Sequence, residues 1–515
     1  MEDSTSFAPR ACVACRKLKR GCDKGLPSCS LCTRTSRECD YSEISPADEI
    51  NQLRTKVREL EDSIPVPSHA TGIHVAVTDT SAAMRNKFLQ LSLLDSEVLD
   101  NSGLVPSPVD VAVPPSVLDL LGDVDLHQLG TEYFGSVHTW MPIISKRRFD
   151  KLLGSLHLSL SAPAALMLLG MKLVLEKPTD LSPGQSLLYT VTKQFTHALD
   201  SAGSFSLMKL QGKLLIAVYE MGQMMLSAAY LSIADCARQG ILMGIHDKSA
   251  PQLLQQPRQW VDWEERQRVW WLIIILDRYI SMGSTHRPLC TADPSKDSCI
   301  PSNEQAWASG EMLPPERVYL SSPTKETASP FARLAQASNL LGRVIRHVDD
   351  EPSDPQEILY EIQILSDALF SLLDLIKVDS LGREAYWAAR SVCYSALLKL
   401  SDSHSCDSFP EEKSFDISAA PIMRQCTDIS LQIMKRVSTE IVSMVQMMDR
   451  HVQAKEADQF SPLELHCIYR AAATMAWMGL NTGDEQYMIG KGICIEWLGF
   501  MSSRWRTAGR SLYSI

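Results

Sequence analysis

Apolar residues recur every three to four positions from about residue 114 to the end of the chain, with polar connections and little strand-like alternation. This period places the apolar side chains on one face of a helix. The pattern therefore predicts a mostly α protein with a large all-α body. The longest apolar run is VWWLIIIL at residues 269–276. It is too short for a membrane span, which needs about 18 apolar residues, and therefore predicts a buried central helix.

A second apolar pattern lies between residues 50 and 64, where the spacing alternates between three and four positions. Ile and Val occupy the a positions of this heptad and Leu occupies the d positions, which favours a parallel two-stranded coiled coil. The alternative is an amphipathic helix packed on its own chain, because two heptads are few. The predicted dimerisation residues are Ile50, Leu53, Val57, Leu60 and Ile64.

Six cysteines precede the heptads with the spacing C-x2-C-x6-C-x6-C-x2-C-x6-C, in which the second three repeat the first three with a shift of 17. Two C-x-x-C turns, each followed by a third thiolate, suit tetrahedral zinc. Two zinc ions need eight ligand positions, so six thiolates suffice only if two of them bridge both ions. We assign the bridges to the equivalent pair Cys12 and Cys29. The predicted ligands of two Zn²⁺ per chain are Cys12, Cys15, Cys22, Cys29, Cys32 and Cys39.

Residues 12–39 resemble the fungal binuclear zinc-cluster transcription factors, with CRKLKRGCD and Pro27 placed as in that family. The resemblance implies the same bridging pair of cysteines, a helix that starts near Cys15 and enters the major groove of DNA, and recognition of a CGG triplet. The family commonly has Arg or Lys where this chain has Leu18, and Lys where it has Gly21.

Four cations lie between the second and third cysteines, and we expect them on one short turn of helix with thiolates at both ends. Residues 1–42 carry eight Lys and Arg against five Asp and Glu, a net charge of +3, so the rest carries −14 of the total of −11. A small basic region, residues 1–42, in an otherwise acidic chain suits phosphate binding. Lys19 is the candidate for contact with guanine, and Arg16, Lys17 and Arg20 are candidates for phosphate contacts. The alternative is that the charges only neutralise the cluster and direct nuclear import.

Two stretches of the helical body resemble the regulatory middle-homology domain that accompanies this zinc cluster in fungal regulators. They are YFGSVHTWMPIISKRRF at residues 133–149 and ERQRVWWLIIILDRYISMGSTHRPL at residues 265–289. The resemblance covers roughly residues 114–310 and implies a helical regulatory domain there.

Charged residues inside the predicted central helix form a candidate ion-pair network. Because a charge inside a helical core must be paired, we interpret Arg268, Asp277 and Arg278 as structural residues and not as catalytic ones. The chain contains no G-x-G-x-x-G, G-x-x-x-x-G-K-[ST] or G-x-S-x-G motif, so no catalytic residue and no enzymatic activity are predicted. Three histidines that lack metal-ligand spacing are interpreted as core or loop residues: His138, His246 and His286.

The segment between Lys87 and Lys146 contains no Lys or Arg, and its acidic residues alternate with Leu and Val. This composition suits either an activation peptide that folds on a coactivator or a solvated linker. The eight cysteines outside the cluster contain no C-x-x-C pair, and the first residues are polar and charged, which favours buried thiols in a reducing compartment and no secretory signal.

The sequence therefore predicts a nuclear transcription factor without a membrane segment, which binds double-stranded DNA at CGG half-sites as a homodimer and contacts transcription coactivators. Family expectation makes it an activator of a metabolic or secondary-metabolite gene cluster. The alternative is a zinc-cluster protein that regulates through protein contacts without binding DNA. The predicted domains are a zinc-cluster DNA-binding domain at 8–42, a coiled coil at 48–64, a largely disordered linker at 65–113, a regulatory domain at 114–325 and a helical C-terminal region at 326–515.

Overall fold

The chain divides into two compact units, Met1–Val77 and Thr78–Ile515, in a computed structural model. The predicted coiled coil at 48–64 and nearly all of the predicted linker lie outside the described residues, so both stay predictions. The described residues are 7–8, 10–41, 111–155, 160–179, 182–283, 286–310, 313–322, 327–350, 354–379, 382–405, 420–452 and 457–511.

The described residues form α-helices joined by turns and short 3₁₀ segments, without a β-strand among them, which confirms the mostly α prediction. The small unit contains α1 (Val13–Lys17) and α2 (Ser30–Arg34). The large unit contains α3 (Pro115–Gly122), α4 (Leu126–Gly135), α5 (Val137–Trp140), α6 (Lys146–Ser155), α7 (Ala162–Leu175), α8 (Leu187–Ser201), α9 (Leu207–Gly222), α10 (Leu226–Leu242), α11 (Trp260–Ser281), α12 (Glu304–Ser309), α13 (Pro330–Asp350), α14 (Pro355–Val378), α15 (Trp387–Asp402), α16 (Ala420–Val452), α17 (Leu465–Thr482), α18 (Glu485–Met501) and α19 (Arg506–Ser511).

Helices α7 and α9 touch through glycines that let their backbones meet. A Cβ added at Gly212 would lie 2.9 Å from the carbonyl oxygen of Leu166, and one added at Gly170 would lie 2.9 Å from the carbonyl oxygen of Gly212. Because the obstructing atoms belong to the backbone, a side-chain rotation cannot make room for an added Cβ, and the helices themselves would have to move apart. The two glycines therefore set the distance between two buried helices in the core.

Replacing Gly212 with alanine is expected to destabilise the large unit by about 1–3 kcal/mol, because the added methyl group has to push two backbones apart. The matched control is Gly154→Ala on α6, where a Cβ meets nothing within 4 Å. Alanine there gains helix propensity, so the control is expected to be neutral or stabilising. Urea unfolding of both variants, followed by circular dichroism, measures the difference, and equal midpoints would contradict the close-contact argument.

The predicted central helix is α11, and its charged residues are buried in two separate clusters, which confirms the expected ion-pair network. The Arg268 side chain is fully buried, and its Nε donates to the Glu264 carboxylate at 2.8 Å while the guanidinium stacks 4.3 Å from the Trp307 ring centroid. Arg278, also fully buried, lies 3.2 Å from the carboxylates of both Asp277 and Asp293. Each cation is thus paired, as burial demands.

The C-terminal residues of the large unit pack onto its first half. The Trp505 indole is fully buried, and its Nε1 donates to the Phe460 carbonyl oxygen at 2.9 Å. The Thr507 hydroxyl donates to the Met221 carbonyl oxygen at 2.7 Å. Among the described residues of the large unit, a single apolar cluster runs from Val117 to Ala508. None of the helices in the described part of the chain has the length and apolar character that crossing a membrane requires.

Candidate metal centre and DNA-binding surface

The 17-residue sequence repeat is also a repeat of local structure. Helices α1 and α2 each span five residues and are related by the same shift of 17. Cys12 is the N-cap of α1 and its Sγ accepts from the Cys15 N–H at 3.5 Å, while Cys29 is the N-cap of α2 and its Sγ accepts from the Cys32 N–H at 3.4 Å. A thiolate therefore satisfies a free backbone donor at the start of each helix.

The two helices also end in the same way. Lys19 follows α1 with a φ of 49°, and Ser36 follows α2 with a φ of 48°. The N–H of Arg20 donates to the Cys15 carbonyl oxygen at 3.0 Å, and the N–H of Arg37 donates to that of Cys32 at 3.0 Å. A left-handed residue followed by this hydrogen bond is the Schellman ending of a helix.

The observed bounds of α1 correct two details predicted from the sequence. The helix expected to start near Cys15 starts at Val13, because Cys12 caps it, and it ends at Lys17. Lys19 and Arg20 therefore lie beyond the last helical residue and not on the helical turn itself. The reason is the left-handed backbone at Lys19, a conformation that glycine usually adopts and that helix propensity does not predict for lysine.

The six predicted cysteines converge between the two helices. Cys12 Sγ lies 3.8 Å from Cys29 Sγ, 3.7 Å from Cys32 Sγ and 3.9 Å from Cys22 Sγ. Cys29 Sγ lies 3.8 Å from Cys15 Sγ, and the Cys29 N–H donates to Cys39 Sγ at 3.2 Å.

These distances fit zinc. Tetrahedral zinc with Zn–S bonds of about 2.3 Å sets its sulfurs about 3.8 Å apart. Each sulfur–sulfur distance above includes Cys12 or Cys29, as expected for two tetrahedra that share the edge between those two residues. The sulfur atoms of Cys12, Cys15, Cys29 and Cys32 all lie within 4.8 Å of one another. The sulfur separations among Cys12, Cys15, Cys22, Cys29 and Cys32 therefore fit zinc ligation.

The environment divides the thiols into two kinds. Burial and neighbouring sulfurs raise the pKa of Cys15 to about 12, and burial also raises the pKa of Cys32. Burial acts in the same direction on Cys22 and Cys39, but backbone N–H donors outweigh it and lower their pKa values to about 7 and about 6. Zinc binds thiolate, so metal binding releases the protons of those thiols that are protonated beforehand.

Residues next to the cysteines hold the two halves together. The Asp23 carboxylate accepts from the Ser30 N–H at 3.1 Å, and this contact with Ser30 holds the pKa of Asp23 below its usual value. The Tyr41 hydroxyl donates to the Gly25 carbonyl oxygen at 2.9 Å. The loop between the helices is therefore anchored to the start of α2 and to Tyr41, two residues after the last zinc-cluster cysteine.

The cations predicted to bind DNA form one exposed surface at the end of α1, which we call the basic end. All four of Arg16, Lys17, Lys19 and Arg20 are exposed, and Leu18 in their midst is 51% exposed. None of these side chains contributes to the apolar cluster around the sulfurs. The basic end is therefore free to meet a partner while its backbone is held by the cysteines on either side.

The repeat also identifies cations that the sequence analysis did not select. Arg34 and Arg37 are exposed and lie 17 residues after Lys17 and Arg20, at the same positions of the second half. The shift of 17 residues that relates the cysteines also relates these cations, so the sequence contained the signal that identifies them.

Comparison with protein families matches both units. Residues 10–48 match the Fungal Zn(2)-Cys(6) binuclear cluster domain, and residues 131–378 match the Fungal specific transcription factor domain. The first of these domains binds two zinc ions through its six cysteines.

Named relatives agree with these matches. Transcription factor BOA15 of Botryotinia fuckeliana is 43% identical over 180 residues, which are 35% of this chain and 99% of that protein. The pigment biosynthesis transcriptional activator pigB of Monascus ruber is 25% identical over 323 residues, 58% of this chain and 56% of pigB. The citrinin biosynthesis transcriptional activator mrl3 of Monascus ruber is 24% identical over 394 residues, 66% of this chain and 72% of mrl3.

One assignment follows from the sulfur geometry, the exposed basic end, the two domain matches and the relatives. This chain belongs to the fungal zinc-cluster transcription factors, DNA-binding proteins that combine a two-zinc, six-cysteine domain with the fungal specific transcription factor domain.

Proposed function

We propose that the chain reads CGG triplets in double-stranded DNA as a homodimer and activates transcription by RNA polymerase II in the nucleus. In this proposal all six cysteines bind zinc, with Cys12 and Cys29 as the bridging pair. The observation that carries the proposal is the basic end, an exposed group of cations whose backbone the cysteines hold before DNA arrives.

Charge confines DNA binding to the small unit. Residues 1–42 carry +3 while the remainder carries −14, so phosphates are attracted to the basic region and repelled by the rest of the chain. Lys19 donates to guanine O6 and N7 in this proposal, and Arg16, Lys17 and Arg20 bind phosphates. By the internal repeat, Arg34 and Arg37 are further candidates for phosphate contacts.

The homodimer rests on the heptads at residues 50–64, where Ile and Val at a and Leu at d favour two parallel strands. A dimer reads two triplets, and the link between Cys39 and Ile50 sets their separation. The boundaries at 8–42, 48–64, 65–113, 114–325 and 326–515 remain proposals. Coactivator contacts are proposed for the acidic and hydrophobic segment that follows Lys87.

The class of target gene is proposed from the relatives. Two of them are named as transcriptional activators of pigment and of citrinin biosynthesis. We propose that this chain likewise activates a secondary-metabolite gene cluster. Deletion of its gene is expected to lower the transcripts of neighbouring biosynthetic genes, and unchanged or increased transcripts would contradict activation.

Sedimentation of the full chain tests the homodimer. We expect one dimer on a duplex with two CGG triplets, and monomers after Leu53→Lys and Leu60→Lys are introduced together. Leu480→Lys is the control, because Leu480 is 84% exposed on the large unit. A wild-type chain that binds only as a monomer would contradict the proposal.

Replacing Leu18 with lysine is expected to strengthen DNA binding and steepen its salt dependence, because the new cation joins the basic end. One added phosphate contact changes the slope of log K against log salt by about −0.9. The matched control is Leu26→Lys, which adds the same charge at a residue 46% exposed in the loop between the helices. Fluorescence anisotropy at rising salt measures both, and equal slopes would show that the basic end does not face DNA.

A second candidate function follows from the same residue. Leu18 and Gly21 stand where the family commonly has cations, which favours weak base contact and a regulator that acts through protein partners. Such a protein would bind CGG duplexes and scrambled duplexes equally at every salt concentration.

A further inference from the structure

The outward face of α11 carries a groove that DNA binding by the small unit does not explain. Two neighbouring cavities, of about 430 Å³ and about 250 Å³, lie along this helix. Both are lined by Lys248, Trp263, Gln267 and Cys299, so they form one continuous groove. Each volume is close to the range that small-molecule sites occupy, about 300–1,000 Å³, and together they lie within it.

Aromatic rings form the apolar wall of the groove. Trp263 and Trp270 lie seven residues apart, so both project from the same side of α11. The His246 ring lies 5.7 Å from the Trp270 ring, and Trp271 Nε1 donates to the Cys299 carbonyl oxygen at 2.9 Å. The rings are therefore held in place by their surroundings, and their spacing suits a flat, conjugated molecule.

Donors without partners cluster where the two cavities meet. The Trp263 indole N–H is buried and has no hydrogen-bond partner. Within the described part of the chain, the Gln267 side chain makes no hydrogen bond and Lys248 makes no ion pair. The Lys248 Nζ lies 5.0 Å from the centroid of the Trp263 ring. Burial lowers the pKa of Lys248, and nearby Arg317 acts in the same direction. Lys248 is nonetheless exposed, and a cation without an ion pair gains from an anionic acceptor.

Acidic residues line the groove, but none of those that the structure describes forms an ion pair with Lys248, although the charge of Glu264 opposes the lowering of the Lys248 pKa. Glu264 is committed to Arg268 at 2.8 Å, and Asp293 to Arg278 at 3.2 Å. The Asp247 carboxylate accepts from the Ser249 N–H at 2.8 Å. The remaining acids that line the groove, Asp297 and Glu316, are exposed at its rim.

We propose that this groove binds a planar, conjugated small molecule with an acidic group, such as a carboxylate or an ionised phenol. The ring system lies against Trp263 and Trp270, and the acidic group meets Lys248 with the Gln267 side chain beside it. This site lies in the large unit and goes beyond DNA recognition, which belongs to the small one. It provides a place where a metabolite can bind the regulator.

Two dyes of similar shape test the proposal on the full chain without DNA. Anilinonaphthalene sulfonate is planar and anionic, and N-phenylnaphthylamine is its uncharged counterpart. We expect saturable binding of the anionic dye at one site per chain, measured by dye fluorescence. Lys248→Met is expected to weaken that binding about tenfold or more, because one charge-assisted hydrogen bond is lost, and to change binding of the neutral dye by less than about twofold.

The control is Lys377→Met, which removes a lysine on α14 that pairs with exposed Asp374 on the same helix. Gln267→Leu provides a second groove variant if Lys248→Met fails to fold, as judged by circular dichroism, and is expected to weaken the anionic dye selectively. Three results would overturn the proposal. They are non-saturable binding of the anionic dye, equal weakening of that binding by Lys377→Met, and equal loss of binding of both dyes. Because no DNA is present, none of these outcomes bears on CGG recognition.

Discussion

Replacing Cys29 with serine is expected to remove both zinc ions and unfold the small unit. Cys29 Sγ lies 3.8 Å from both Cys12 Sγ and Cys15 Sγ, and in the proposed cluster it bridges both zinc ions. A serine hydroxyl stays protonated at neutral pH and binds zinc far more weakly than a thiolate. Structural zinc contributes on the order of 10 kcal/mol to the folding of such small domains, more than two short helices can supply.

The expected readouts are zinc content after dialysis and DNA affinity. Cys29→Ser should hold close to no zinc and bind DNA only non-specifically, a loss on the order of a thousandfold. Cys39→Ser removes a ligand of one ion only and should retain more zinc than Cys29→Ser. Cys290→Ser in the large unit is the control and should retain two ions. Equal zinc loss in Cys29→Ser and Cys39→Ser would contradict the bridging assignment.

Replacing Lys19 with glycine is expected to reduce triplet discrimination while leaving the zinc cluster folded. Lys19 has a φ of 49°, a conformation that glycine adopts without strain, so the backbone of the basic end is kept. The loss of one bidentate contact with guanine is worth about 1–3 kcal/mol of discrimination. Affinity for a CGG duplex should therefore fall towards that for a scrambled one.

Ser36→Gly is the matched control for this substitution, because Ser36 has a φ of 48° at the equivalent position of the second half. It makes the same backbone change without removing a cation. Lys17→Gln should weaken binding to CGG and scrambled duplexes alike, as expected of a phosphate contact. If Lys19→Gly also weakened both duplexes equally, Lys19 would be a phosphate contact and not the base-reading residue.

The metal centre could be predicted from the sequence because its chemistry is local. All six ligands lie within 28 residues, and the shift of 17 determines which thiols are equivalent. The helix expected near Cys15 was predicted in the right place, but Lys19 and Arg20, which were expected on its turn, lie beyond its last residue. Its start depends on the Cys12 sulfur as N-cap, and its end depends on a left-handed lysine, which neither propensity nor periodicity describes.

In the large unit, the helices could be predicted from the sequence but the contacts between them could not. Its helices and the buried α11 follow from apolar periodicity, since each helix hides one face. The groove along α11 does not, because residues near 246, 263, 292 and 316 come together only through tertiary packing. The contact of Arg278 with Asp293 across a loop was likewise unpredictable, whereas Arg268 pairs with Glu264 one turn away on the same helix, a spacing that the sequence shows.

The most direct test of the account is the affinity of the zinc-loaded full chain for a duplex with two CGG triplets, compared with a duplex of the same composition in which the triplets are scrambled. Both are measured at several salt concentrations, before and after removal of zinc by chelation. The account predicts a preference for the CGG duplex of at least about a thousandfold, lost when zinc is removed. Equal affinity for the two duplexes with zinc bound, or a preference that survives chelation, would contradict it.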